Sequence, residues 1–188
     1  MKPFVLASQS PRRKELLEQI GLSFTVIPSE VEEKIVETDT PEEVVASLAY
    51  QKAEDVFSRN ENKLILAADT IVVIDNIILG KPTDKHDANK MLQLLSGRSH
   101  HVLTGVTLLS QDNKMTFVEK TRVYFYPLTS EEIVDYIDSG EPFDKAGAYG
   151  IQGLGATLVE KINGDYFTIV GLPIAKVVRA LKQFNNNR

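Results

Sequence analysis

Apolar positions in this chain follow two rhythms, short unbroken runs and helical stripes, and they alternate from the first residues onward. Phe4 to Ala7 is an unbroken run, as a strand buried on both faces produces. It stops at Ser8-Gln9-Ser10-Pro11, where Ser10 is placed to cap a helix and Pro11 suits its first position. That helix would turn Leu16, Leu17 and Ile20 inward and end at Gly21, before a second strand at Phe24 to Ile27. Thr40 and Glu43, at capping-box spacing, open a longer helix with the stripe Val44, Val45, Leu48, Ala49, Ala53, Val56 and Phe57. Lys63 to Ala68 reads as a buried strand ending at Asp69-Thr70. Ile71 to Ile74 continues extended, and Asp75-Asn76 turns the chain into Ile77 to Leu79.

Gly80-Lys81-Pro82 breaks the pattern, and Asp84 opens a helix with Ala88, Met91, Leu92 and Leu95 at i, i+3, i+4, i+7, ended by Gly97. Two long extended segments flank Gln111-Asp112-Asn113 as a hairpin, and a helix begins at Thr129, with Glu132 at capping-box spacing, and stops near Gly140. Glu141 to Gly155 has four glycines and little periodicity, which predicts the longest irregular loop, a place where function concentrates. A hairpin at Asn163-Gly164 and a helix from Pro173, with Ile174, Val177, Val178 and Leu181 inward, complete the pattern. Strands alternating with helices give an α/β fold with a hairpin excursion in the middle, and 188 residues suit one domain or two tightly joined lobes.

Composition removes several classes of function. Hydrophobic residues are 43% and charged residues 25%, the balance of a globular chain. Lys plus Arg is 21 against 26 Asp plus Glu, a net charge of −5, so phosphate binding must be local and a nucleic-acid partner is disfavoured. The absence of Cys excludes disulfides, a thiol nucleophile and thiolate zinc sites. Histidine occurs only at 86, 100 and 101; His100 and His101 would face opposite sides of a strand, and His86 fits a solvated helix start. No apolar run reaches transmembrane length and the early one is too short for a signal-peptide core, so a soluble, cytoplasmic protein without a membrane partner is expected.

The candidate chemistry begins at Arg12-Arg13-Lys14, three cations at the helix end that already carries partial positive charge. Either they receive an anion such as phosphate, with Arg donating two-point bonds, or they extend into water. Asp69, expected at a strand end where α/β folds place ligands, is either a metal- or proton-handling carboxylate or a turn former. Glu30 and Glu32 would share one side of an extended segment, with Glu33 on the other; carboxylates of this kind suit magnesium, or the loop is simply solvated. Lys52 lies along the apolar side of its helix, either snorkelling or aiming an ammonium at phosphate, and Lys81 between Gly80 and Pro82 is open to the same two readings. There is no G-x-x-x-x-G-K-[ST] loop and no G-x-G-x-x-G after a strand, which disfavours phosphate-loop kinases and dinucleotide enzymes.

Taken together, Leu6-Ala7-Ser8-Gln9-Ser10-Pro11-Arg12-Arg13, Ala68-Asp69-Thr70, Gly80-Lys81-Pro82, Leu95-Ser96-Gly97-Arg98 and Asp144-Lys145-Ala146-Gly147-Ala148-Tyr149-Gly150-Ile151-Gln152-Gly153 resemble the Maf family of nucleotide pyrophosphatases along essentially the whole chain. The resemblance implies a single Maf-like domain over residues 1–188. Its fold would be similar to that of inosine triphosphate pyrophosphatases, an elongated mixed sheet with flanking helices and a deep cleft between two lobes. It implies a nucleoside triphosphate pyrophosphatase that yields the monophosphate and pyrophosphate with a divalent cation, magnesium or manganese. Asp69 matches the proton acceptor; Arg12, Thr70 and Gln152 match the selectivity positions; Ser8, Arg13, Lys52 and Lys81 match further substrate contacts. Glu33 and Asp69 would be the metal ligands. Arg, Thr and Gln at the selectivity positions are those of the dTTP and UTP branch. The family is also linked to arrest of septum formation, and a homodimer is implied. The competing expectation is a nucleotide-sensing regulatory protein of cell division without essential turnover.

Overall fold

A computed structural model describes residues 3–186. A seven-stranded mixed sheet organises the chain, in the order β2-β1-β3-β5-β6-β7, with β4 paired to β3. The strands are β1 (Phe4–Leu6), β2 (Phe24–Val26), β3 (Ile65–Ile74), β4 (Ile77–Leu79), β5 (Ser99–Leu109), β6 (Lys114–Phe125) and β7 (Val159–Asn163). The helices are α1 (Pro11–Gln19), α2 (Pro41–Ser58), α3 (Lys85–Leu95), α4 (Ser130–Asp138), α5 (Tyr166–Val170) and α6 (Ile174–Asn186). β1 runs parallel to β2 and β3, whereas β3–β4 and β6–β7 are antiparallel, so the α/β expectation holds with a mixed sheet.

The caps read from the sequence form as expected on α2 and α4. Thr40 with Glu43, and Thr129 with Glu132, each make both bonds of the capping box, a device whose cap residue stabilises a helix by about 1 kcal/mol. Asp84 accepts the Asp87 N–H at 2.7 Å and starts α3. The turn at Asp75-Asn76 has φ of 50° and 62°, the left-handed pair that a two-residue hairpin needs, and β3 and β4 pair at Ile74↔Ile77 across it.

Four expectations are corrected. Ser10 occupies the cap position of α1 but makes no side-chain cap bond; its own N–H donates instead to Ser8 Oγ at 3.2 Å. Ile20 is exposed because α1 ends at Gln19, and only Leu16 and Leu17 of the predicted stripe are buried. Asp69 is not at a strand end. β3 continues unbroken through Asp69 and Thr70, pairing with β1 at 65–66 and with β4 at 72–74, so the acidic residue falls where the neighbour on that edge changes. Asn163-Gly164 is not a hairpin: β7 ends there, and Asp165 accepts the Thr168 N–H at 2.8 Å to start α5, which the sequence pattern did not predict.

The chain forms two compact units: residues 1–69, 104–119 and 171–188 in the first, and residues 70–103 and 120–170 in the second. In the first, Val5, Ala7, Ile65 and Ala67 pack with Ala53 and Val56 of α2. Gly105 lets β5 approach the same helix: a Cβ there would lie 2.3 Å from the Val45 carbonyl oxygen. In the second, Val72, Ile74, Val102, Val123 and Phe125 from the strands meet Ala88, Leu92 and Leu95 of α3 and Ile133, Tyr136 and Ile137 of α4. No helix among the described residues is long and apolar enough to cross a membrane.

Candidate active site

The first unit gathers its charged residues from four segments. β1 leads into Ser8, which is buried, and Ser8 Oγ accepts from Arg13 Nη1 at 3.0 Å as well as from the Ser10 N–H. Arg13 is buried too, and its Nε donates to the Gly171 carbonyl at 2.7 Å. The three cations of α1 therefore have different roles. Arg13 turns inward, Arg12 is half-buried, and Lys14 is exposed beside Glu18 at 3.6 Å, a surface pair worth a few tenths of a kcal/mol. Burial pushes the Arg13 guanidinium below its ordinary value; Asp69 and Glu33 oppose that, and Arg12 adds to it. The side chain stays a cation, since a guanidinium does not lose its proton in proteins.

Lys52 projects from α2 between two carboxylates. Its Nζ makes a short ion pair with Asp69 Oδ1 and a second one with Glu33 Oε1 at 2.8 Å. The side chains of Lys52 and Asp69 are 18% and 13% exposed and that of Glu33 is 45%, so the Lys52–Asp69 contact is the one shielded from water. Snorkelling does not describe this lysine. Of the three clustered glutamates, Glu33 is the one whose side chain reaches it, and α2 holds the loop in place. Asp55 Oδ2 accepts from Ser29 Oγ and from the Glu30 N–H, both at 2.9 Å. Gln51 bonds Lys34 twice, accepting its N–H at 2.9 Å and donating to its carbonyl at 2.8 Å. The acidic loop is thus tied to the helix on each side of Glu33.

Thr70 follows Asp69 on β3, half-buried and on the opposite face. It belongs to the second unit, as do Lys81 and Gln152. Lys81 is exposed after β4, and the Gly80 carbonyl before it accepts the Gly147 N–H at 2.9 Å, which ties this segment to the glycine-rich loop. That loop is less irregular than predicted, since 3-10 turns occupy Glu141–Asp144, Ala146–Ala148 and Gly153–Leu158. Gln152 is exposed at the head of the last of these.

Ser8, Arg12, Arg13, Glu33, Lys52 and Asp69 are therefore assembled within one unit, three of the four cations with both carboxylates, although the chain as a whole is acidic. Among the described residues no group of three or more His, Cys, Asp or Glu could enclose a metal ion. Glu33 and Asp69 meet at the Lys52 ammonium, and oxygen ligands of their kind suit an ion such as magnesium, which keeps waters and takes further ligands from phosphate. Gln51, Asp55 and Gly171 were not singled out in the sequence. Gln51 and Asp55 stand four apart on α2 and share a face, and Asp55 is also three after Lys52, a spacing that a search of the helix's polar positions would have caught. The Gly171 carbonyl has no side-chain signal.

A family model described as Maf-like protein matches residues 3–184. The dTTP/UTP pyrophosphatase of Halalkalibacterium halodurans is 58% identical over 97% of this chain and 96% of its own length. The dTTP/UTP pyrophosphatase of Bacillus cytotoxicus is 55% identical over 99% of this chain and 97% of its own. Among solved structures, the Staphylococcus aureus Ham1 protein aligns with a TM-score of 0.47 and 17% identity over 66% of this chain and 72% of that chain, too slight a likeness to argue from.

Proposed function

The chain belongs to the Maf-like protein family, and on that footing we propose that it hydrolyses dTTP and UTP to the nucleoside monophosphate and pyrophosphate. The observation that carries the reading is the Lys52 ammonium held between Asp69 and Glu33 in the unit that also contains Arg12 and Arg13. A triphosphate brings roughly four negative charges, and in this reading Arg12, Arg13 and Lys52 are the cations that receive them.

In this reading Asp69 orients the attacking water and takes its proton, and Lys52 keeps the carboxylate in one direction while it does so. Attack in line with the α–β bridging oxygen expels pyrophosphate. Arg12 and Arg13 draw the phosphates into place, and Ser8 holds Arg13. Glu33 and Asp69 would hold a divalent cation, magnesium or manganese, which supplies charge neutralisation at the phosphoryl group. Lys81 contributes a further phosphate contact, Thr70 shapes substrate choice, and Gln152 offers an amide donor and acceptor to a uracil or thymine edge.

A panel of nucleoside triphosphates with magnesium or manganese, read by pyrophosphate release, tests the assignment. Release from dTTP and UTP ahead of other nucleotides is expected, with kcat falling about 10²- to 10⁴-fold in Asp69→Asn. Tight nucleotide binding without pyrophosphate release would favour the sensor instead.

A further inference from the structure

Glu141 follows α4 at the start of the glycine-rich segment, yet its carboxylate acts at the far end of it. Oε1 accepts the Leu154 N–H at 3.1 Å and Oε2 the Gly155 N–H at 3.4 Å. Gly153, between these residues and Gln152, has φ +67°, and a Cβ there would lie 2.6 Å from Glu141 Oε1. The carboxylate closes over the backbone because that position has no side chain.

Gln152 heads the 3-10 turn Gly153–Leu158 without bonding it through its own side chain. Glu141 satisfies the turn's N–H groups, so the Gln152 amide, exposed at the head of the turn, is not spent on capping. On the other side of Gln152, Tyr136 Oη accepts the Gly150 N–H at 3.2 Å, and Tyr149 Oη is hydrogen-bonded to His100 Nε2 at 2.6 Å in the core. Lys145 Nζ donates to the Glu141 carbonyl at 2.6 Å and holds the acidic residue itself. The backbone is fastened before and after Gln152, and Glu141 makes the two bonds that follow it.

We propose that Glu141 is a positioning residue for base selection: by taking the N–H groups of Leu154 and Gly155 it sets the direction in which Gln152 presents its amide. This rests on the reading of Gln152 as a base-selecting residue. Neutral Glu141→Gln keeps the shape but turns a donor toward one of the two N–H groups.

The test is kcat/KM on dTTP, UTP, dCTP and CTP for Glu141→Gln, Gly153→Ala, Gln152→Ala and the Glu141→Gln/Gln152→Ala double variant, each checked for folding by thermal melt. The preference for thymine and uracil over cytosine is expected to fall about tenfold in Glu141→Gln, through KM rather than kcat. Gly153→Ala, which pushes on the same contact from the other side, should lose preference likewise, and the double variant should lose no more than Gln152→Ala alone. Equal losses on all four nucleotides, unchanged preference, or losses that multiply in the double variant would overturn the proposal, as would failure of both Glu141→Gln and Gly153→Ala to fold. If Gln152→Ala keeps full preference, the base-selecting reading fails and takes the proposal with it. If Gln152→Ala blurs preference while Glu141→Gln does not, Glu141 alone is removed.

Discussion

Arg13 is the residue whose chemistry depends most on what lies around it. Its bonds include those to two uncharged oxygens, Ser8 Oγ and the Gly171 carbonyl, while the field of Asp69 and Glu33 opposes the effect of its burial. The two bonds leave different edges of one planar guanidinium, at Nη1 and Nε, and an ammonium cannot reproduce that fork. Arg13→Lys keeps the charge but should raise KM for dTTP about tenfold or more, measured beside a thermal melt. A KM unchanged in a folded variant would take Arg13 out of substrate binding. Residue types alone marked Arg12, Arg13, Glu33, Lys52 and Asp69 as candidates. Which cation turns inward, and which of three glutamates meets Lys52, depends on partners that the neighbouring residues do not reveal.

At the scale of elements, α2 is the part that aligns the others. Its buried face packs on β1 and β3, and its polar positions 51, 52 and 55 hold the acidic loop and Asp69. Burial opposes ionisation of Asp55, but the Glu30 N–H, Ser29 and Arg59 outweigh it and hold the carboxyl below its ordinary value. Asp55→Ala removes the acceptor for two loop groups. Amide exchange at Glu30 and the residues after it should speed up several-fold, while overall stability falls by about 1 kcal/mol or somewhat more. Exchange confined to its original rate would show that Gln51 suffices. The helix stripe and its capping box were legible because both repeat within a turn or two. The continuity of β3 through Asp69-Thr70 was not, because polar residues inside a strand look like its end until β4 is seen to pair beyond them.

Across the whole molecule, stability is tied to pH through a histidine outside the charged cluster of the first unit. His100 is buried against Phe125 and Tyr149, and its Nδ1 has no hydrogen-bond partner among the described residues. Burial, with a smaller contribution from His101, lowers its pKa from 6.5 to about 3. The unfolded chain therefore binds a proton between those values that the folded protein does not. Stability rises with pH through that window and falls on acidification, by up to about 1.4 kcal/mol per pH unit from this group. Urea midpoints taken between about pH 7 and pH 5 should drop less in His100→Gln, which can still bond Tyr149, than in the native protein. Parallel profiles would sink the assignment.

The amino-acid sequence determined most elements and the residue types of the site, because caps, turns and apolar periods act over a few neighbouring positions. It also carried the family, through motifs spaced along the whole chain. Tertiary structure decided the rest: Arg13 meets a carbonyl 158 residues away, Lys52 bridges two acids from separate segments, and Glu141 caps a turn 13 residues on. Such contacts form only when distant segments are packed together, and a carbonyl oxygen or a glycine's missing side chain leaves no local pattern to read.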